Sequence, residues 1–132
     1  MNAATVTICD ETPGGQRHAS FRLELVSERI SLRELIRRRV QAEVEAYNRA
    51  TPEYFHGLVQ PTDAERMLNG YRLKQRRQLD WKAQCDKALD GFGCNGFFVL
   101  FEGRQLESLD EEIVIGPGAE VRFIKLVPLV GG

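Results

Sequence analysis

The sequence has few of the features that define several large protein classes. Its three cysteines, Cys9, Cys85 and Cys94, are widely spaced and form no CxxC pair. An odd, scattered set predicts neither a disulfide framework nor a zinc site and is typical of a reducing cytoplasm. No apolar run approaches the length of a membrane span. The first residues do not combine a basic stretch with an apolar one, so no secretory signal is expected.

An excess of charge of one sign is also missing. Eighteen basic side chains stand against nineteen acidic ones, for a net charge of −1, so no overall field favours nucleic acid. Phosphate-loop, metalloprotease and serine-hydrolase motifs do not occur. Neither His18 nor His56 is paired with a nucleophile such as Cys94 in the sequence pattern. The sequence therefore predicts a protein that is not itself an enzyme, holds no cofactor or metal, and binds neither nucleic acid nor a membrane.

What is present fits one soluble globular domain over residues 1–132. A hydrophobic fraction of 42% and a charged fraction of 28% are ordinary for such a domain. The length allows a real core and leaves little room for a second domain.

Two alternating runs near the N-terminus predict a β-hairpin. Residues 4–9 and 19–26 are apolar at every second position, and Thr12-Pro-Gly-Gly15 between them is strong turn chemistry. Ser31 and Glu34 then form a capping box. The apolar positions that follow predict an amphipathic helix of about 18 residues. Its outward side is expected to carry Arg37, Arg38, Arg39 and Glu43 as a solvated face, with contact to an acidic partner as the alternative for the basic triplet.

Residues 48–96 are predicted to form a helical insert. A second capping box at Thr62–Glu65 begins a helical pattern that breaks near Gly70 and resumes from about Tyr71 to Leu89. A buried strand from Phe97 and a last strand over residues 120–127 follow the insert. Without the insert the order is hairpin, helix, strands. This is the order of a β-grasp, an α+β fold in which a mixed sheet covers one helix.

The last strand is followed by a diglycine, Gly131-Gly132. Because glycine has no Cβ, such a tail is thin and conformationally free. The five residues from Pro128 span roughly 16 Å when extended, enough to carry a carboxylate to a remote active site. A diglycine can also stand at the end of a sequence by chance, so its meaning depends on the other segments.

Two further segments are similar to known families. Phe101-Glu-Gly-Arg-Gln-Leu-Glu107 resembles the third strand and following turn of ubiquitin, where the pattern is Phe-Ala-Gly-Lys-Gln-Leu-Glu, and the spacing from there to the diglycine is nearly the same. Phe21-Arg-Leu-Glu-Leu-Val-Ser27 resembles ubiquitin's second strand and the start of its helix. Pro128-Leu-Val-Gly-Gly132 is closer to the small subunit of molybdopterin synthase and the thiamine sulfur carrier. The resemblance covers residues 4–47 and 97–132.

The resemblance implies a cytoplasmic ubiquitin-like protein modifier. The carboxylate of Gly132 would be adenylated by an activating enzyme, which uses the ATP, and then conjugated to a target protein. Conjugating and deconjugating enzymes are further expected partners. Gly131 would let the enzyme's site close around the tail. The residues that the enzyme would read in the tail are Pro128, Leu129 and Val130. Ubiquitin has basic residues in its tail that are replaced here, so the cognate activating enzyme should be of a different type.

Recognition would also need a surface on the body of the protein. By alignment on the shared turn, an exposed apolar patch is expected at Leu100, with Ile124 or Leu126 beside it on the last strand. A shift of one residue along the strand would bury these side chains instead. Two other functions remain open. The tail favours a sulfur carrier that passes a C-terminal thiocarboxylate to a sulfur acceptor, and the insert favours a non-conjugated β-grasp interaction module.

Overall fold

The computed structural model describes residues 3–67 and 70–126. They form an α+β protein with a mixed five-stranded sheet and two helices. The chain divides into two compact units. The sheet unit comprises residues up to Leu35 and from Phe92 onward, and the insert unit comprises residues 36–91. The expectation of a single domain over residues 1–132 stays a prediction.

The elements follow one another in this order: β1 (Ala4–Glu11), β2 (Arg17–Leu25), β3 (Arg29–Ser31), α1 (Leu32–Ala50), β4 (Ala64–Met67), β5 (Gly70–Leu73), α2 (Trp81–Gly93), β6 (Phe97–Phe101), β7 (Arg104–Leu106), β8 (Glu112–Val114) and β9 (Glu120–Lys125). Neither helix is long and apolar enough to cross a membrane in the part of the chain that the structure describes.

The large sheet has the strand order β2-β1-β9-β6-β7. β1 and β2 are antiparallel neighbours, which confirms the predicted hairpin. Its turn is closed by hydrogen bonds from the Gly15 amide to the Thr12 carbonyl and from the Gln16 amide to the Thr12 hydroxyl. Gly15 has φ +86°, a conformation that favours glycine. β9 lies between β1 and β6, parallel to the first and antiparallel to the second.

One face of this sheet is buried, because apolar side chains recur at every second position along its strands. On this face the three central strands bury Val6, Ile8, Val121, Phe123, Phe97, Val99 and Phe101. The predicted buried strand from Phe97 is present as β6, and it is buried on one face. Phe98 and Leu100 are only half-buried, since they point to the opposite face of the pleated strand.

The start of α1 follows its sequence signal closely. The Glu34 amide donates to the Ser31 hydroxyl at 3.2 Å, which confirms the predicted cap. Two further amides of the first turn are satisfied within the sheet unit. Leu32 donates to the Glu111 carbonyl at 2.9 Å, and Arg33 donates to the Leu109 carbonyl at 3.0 Å. Amides that would otherwise lack partners at a helix start are thus bonded to the chain around β8.

The prediction that Arg39 and Glu43 lie on a solvated face of α1 was wrong. Arg39 is fully buried, and the Glu43 side chain is 8% exposed. The Arg39 Nε donates to Glu43 Oε2 at 3.0 Å, and the Leu58 amide donates to Glu43 Oε1 at 3.2 Å. The two charges can be buried because they are paired and hydrogen-bonded. The neighbouring Arg37 is exposed, as predicted.

The insert unit is less helical than the sequence predicts. The capping box at Thr62–Glu65 does not start a helix, because β4 begins at Ala64 and pairs antiparallel with β5. Asp63 has φ +57°, which is incompatible with a helix start, and its carbonyl accepts from the Lys74 amide at 3.0 Å. Gly70 has φ +130°, and a Cβ there would lie 2.9 Å from the His56 Nδ1. The second helix therefore begins only at Trp81 rather than near Tyr71.

Candidate functional site

The predicted tail lies outside the described residues. This applies to all five positions assigned to it, Pro128, Leu129, Val130, Gly131 and Gly132. The last described residue is Leu126, whose amide donates to the Gly96 carbonyl at 3.2 Å just beyond β9. Its side chain is 40% exposed. The candidate site within the described residues is therefore the half-exposed face of the sheet around β9.

The predicted patch residues Leu100 and Ile124 lie on this half-exposed face. The register of β6 against β9 places Leu100 opposite Arg122, and Phe98 opposite Ile124. Directly paired antiparallel residues point to the same side of a sheet, so these four side chains share one face, and all four are half-buried. We call them the sheet patch. Leu100 and Ile124 are diagonal neighbours in it, and neither belongs to the core.

Sequence reasoning missed two members of the sheet patch. Phe98 could have been found, because it stands two residues before Leu100 and so faces the same side of β6. Arg122 was missed because its importance depends on a partner far away in the chain. Its Nε and Nη2 donate to the two carboxylate oxygens of Glu11 at 2.8 and 2.7 Å. The partners are 111 residues apart in sequence, and only the parallel pairing of β1 with β9 brings them together.

The Glu11–Arg122 pair holds a positive group at a set position in the sheet patch. The Glu11 side chain is 4% exposed, whereas that of Arg122 is 41% exposed. A bidentate bond of this kind fixes the plane of the guanidinium. Arg17 adds a weaker contact, with its Nη2 3.8 Å from Glu11 and 3.2 Å from Glu120. The surface therefore combines apolar side chains with an oriented, partly exposed cation, which suits binding to another protein.

The charges around β1 and β9 shift two acidic groups in opposite directions. Hydrogen bonds from Arg122 hold the pKa of Glu11 below its usual range, although burial of the carboxylate opposes this. Burial raises the pKa of the Cys9 thiol to about 11, and the hydrogen bond to Glu120 adds to the effect. Cys9 therefore stays protonated at neutral pH and is a poor nucleophile.

We expect Glu11→Gln to lower the stability of the protein at neutral pH and to leave it almost unchanged in acid. Because the folded pKa of Glu11 is lowered, its contribution is present above the unfolded value of 4.5 and is lost as the pH falls through the folded pKa. Urea unfolding at a series of pH values should show that wild type has a higher free energy of unfolding than the variant at neutral pH. This difference should shrink as the pH falls below 4.5 and disappear below the folded pKa of Glu11. The matched control is the exposed Glu24, where Glu24→Gln should change the free energy of unfolding by less than about 0.5 kcal/mol. A difference in the free energy of unfolding that stays constant with pH would contradict the lowered pKa of Glu11.

No protein-family model, curated protein or solved structure matches this chain. Within residues 3–67 and 70–126, no group of three or more His, Cys, Asp or Glu side chains is arranged to hold a metal ion. The sheet patch consists of three half-buried apolar side chains and one oriented guanidinium.

Proposed function

We propose that this chain is a ubiquitin-like protein modifier of the cytoplasm. In the first step, a carboxylate oxygen of Gly132 attacks the α-phosphate of ATP on an activating enzyme, and pyrophosphate leaves. The acyl-adenylate is then attacked by a cysteine thiol of the enzyme, which gives a thioester and releases AMP. An amine of the target finally displaces the thiol and forms an amide. This chain supplies the acyl group, and the catalysis belongs to the partner enzymes.

The observation that carries the proposal is the position of β9. The strand lies in the middle of a mixed sheet, parallel to β1 and next to β6, and its sequence continues into Pro128-Leu-Val-Gly-Gly132. A hairpin, a capped helix and a last strand parallel to the first are compatible with a β-grasp. A tail that follows a strand held on both sides starts from a rigid base, which favours its delivery into a partner's active site.

The sheet patch gives such a partner a second contact on the body of the protein. Its three apolar side chains are half-buried and so offer part of their surface to a partner, and arginine is enriched where the binding energy of an interface is concentrated. Leu126 extends the apolar surface toward the tail, since it follows β9 directly and is 40% exposed. We infer that an activating enzyme reads the sheet patch and the tail residues Pro128, Leu129 and Val130 together.

The mass of the protein in its native host tests the proposal. An N-terminally tagged chain and the same chain without Gly131-Gly132 are recovered and their intact masses compared. High-mass adducts that depend on the diglycine, with Gly132 in amide linkage to a target peptide, are the expected result. One species in which a sulfur replaces an oxygen would instead identify a sulfur carrier, the alternative that the Pro-Leu-Val-Gly-Gly sequence favours. Unmodified protein in both samples, with an activating enzyme present, would leave a non-conjugated interaction module.

We expect truncation of the sheet patch to reduce adduct formation without unfolding the protein. Leu100→Ala combined with Ile124→Ala should lower the yield of adducts at least tenfold, because a recognition centre of apolar side chains is worth about 2 kcal/mol or more. The matched control is Val114→Ala, which truncates a 50% exposed apolar side chain outside the patch and should leave the yield unchanged. Equal yields from both variants would argue against the patch as the recognition surface. Circular dichroism checks that each variant is folded.

A further inference from the structure

The insert unit contains a cleft that the proposed function does not use. We call it the charged cleft. Its volume is about 390 Å³. Its lining consists of Tyr47, Glu53, Glu65, Arg72, Leu73, Lys74 and Arg76, all of which belong to the insert unit. The segment that contains most of these residues has no counterpart in ubiquitin or the sulfur carriers, so a role for the cleft must come from its own chemistry.

The three cations that line the cleft lie close together in the sequence. Arg72 belongs to β5, and Lys74 and Arg76 follow it where the chain bends after the strand. All three side chains are exposed and line the cleft. Arg72 is ion-paired with Glu65 at 3.6 Å, with both side chains largely exposed, so that contact is weak. Neither Lys74 nor Arg76 forms an ion pair with any residue that the structure describes. Among the described residues, the cleft therefore presents two exposed cations that are not held in an ion pair, although Glu53 and Glu65 line the same cleft.

Apolar side chains complete the cleft. Tyr47 is 4% exposed and Leu73 is 6% exposed. Tyr47 is held by an edge-on contact with Phe55, with ring centroids 5.5 Å apart, and the isolated bridge between Phe55 and Tyr71 ties the same loop to β5. The apolar part of the lining is thus buried and fixed, whereas the cations around it are exposed. A ligand that suits this lining carries anionic groups next to an apolar one.

We propose that the charged cleft binds an acidic peptide segment of a partner protein. Carboxylates of the peptide would pair with Lys74 and Arg76, and one apolar side chain would contact Tyr47 and Leu73. The charge of the unit favours this, because residues 36–91 contain eleven basic and eight acidic side chains, although the whole chain has a net charge of −1. The proposal stands whether or not Gly132 is conjugated.

The composition of the lining favours a peptide over a nucleic acid. Glu53 and Glu65 line the same cleft as the three cations. Nucleic acid binding depends on a series of cations that follow the phosphate backbone. The carboxylates of Glu53 and Glu65 lie among the cations of this cleft and would repel the phosphates. A peptide can instead place its own amides or a basic side chain against Glu53 and Glu65.

The test is a titration of the full 15N-labelled chain with a synthetic peptide, N-acetyl-Glu-Glu-Leu-Glu-Glu-amide, followed by NMR. We expect saturable shift changes centred on the lining residues, and binding that weakens as salt is raised. The double variant Lys74→Glu, Arg76→Glu should weaken binding at least tenfold, which corresponds to about 1.4 kcal/mol. The matched control is Arg49→Glu, Lys82→Glu, because both residues are exposed cations of the insert unit outside the cleft. It should weaken binding less than about threefold.

Four results would overturn the proposal. The absence of saturable shifts at the cleft would exclude an acidic peptide ligand. Equal losses in the two double variants would mean that only the overall charge attracts the peptide. Tighter binding of a single-stranded oligonucleotide, with shifts at the same residues, would assign the cleft to nucleic acid. A salt-sensitive oligomer in sedimentation that the peptide dissociates would assign it to a second copy of this chain.

Discussion

Replacing Glu43 with alanine is expected to lower the free energy of unfolding by about 3 to 5 kcal/mol. Glu43 neutralises the guanidinium of Arg39, which is fully buried. The substitution removes the carboxylate that accepts from the Arg39 Nε at 3.0 Å and also removes the acceptor of the Leu58 amide. Trp81 is the single tryptophan and lies in the same unit, so its fluorescence during urea unfolding reports the loss directly.

A double variant separates the pair's contribution from the cost of breaking it. Arg39→Met with Glu43→Leu replaces both charges by apolar side chains of similar size, and such replacements are often neutral or stabilising. It should recover most of the loss caused by Glu43→Ala. Glu45→Ala changes an exposed carboxylate on the same helix and should stay within about 0.5 kcal/mol of wild type. A loss below about 1 kcal/mol for Glu43→Ala would mean that Arg39 does not depend on this carboxylate.

Gly131→Val is expected to abolish the diglycine-dependent adducts although the carboxylate of Gly132 is still present. The proposed activating enzyme must close around the tail, and a β-branched side chain would both fill that space and restrict the backbone angles that glycine permits. Loss of a step that requires close approach of the reacting atoms is expected to exceed about 100-fold. The measurement is the yield of adducts in the native host, determined by intact mass.

The matched control changes the tail at the preceding residue. Val130→Ile adds one methylene where a side chain is already present, so adducts should form at a yield within a few-fold of wild type. If Gly131→Val supports the same yield as Val130→Ile, the enzyme does not enclose the diglycine and the proposed activation is wrong. If both variants lose the adducts, the tail is read as a whole, and truncation of Leu129 should have the same effect.

Several elements could be predicted from the sequence because local interactions determine them. The hairpin of β1 and β2 follows from alternation around Thr12-Pro-Gly-Gly15, and its register keeps the apolar positions together. The helix begins where Ser31 can accept from the Glu34 amide. The last strand begins at Glu120 as predicted. The hairpin turn and the helix cap are each closed by hydrogen bonds between residues three or four positions apart. The last strand was recognised from its apolar alternation, although its partners in β1 and β6 lie far away in the sequence.

The insert shows where local signals fail. Thr62 and Glu65 have the spacing of a capping box, yet the chain there becomes the first strand of a hairpin. Asp63 adopts a positive φ, and its carbonyl is bonded to Lys74, eleven positions along the chain. Pairing with a distant segment outweighed a cap that is worth about 1 kcal/mol. The charged cleft depends on this hairpin, so sequence patterns alone did not indicate it.

The sequence by itself determined which residues can form a strand, a turn or a helix start, and it places Gly131-Gly132 a few residues after the last strand. Those properties depend on backbone angles and side-chain periodicity, which act over a few residues. Only the tertiary structure decided that Arg39 is buried on Glu43, that Glu11 orients Arg122 beside Leu100, and that three cations line one cleft. Whether a charge is buried, paired or exposed depends on segments far apart in the chain, because its energy depends on every charge and every water molecule around it.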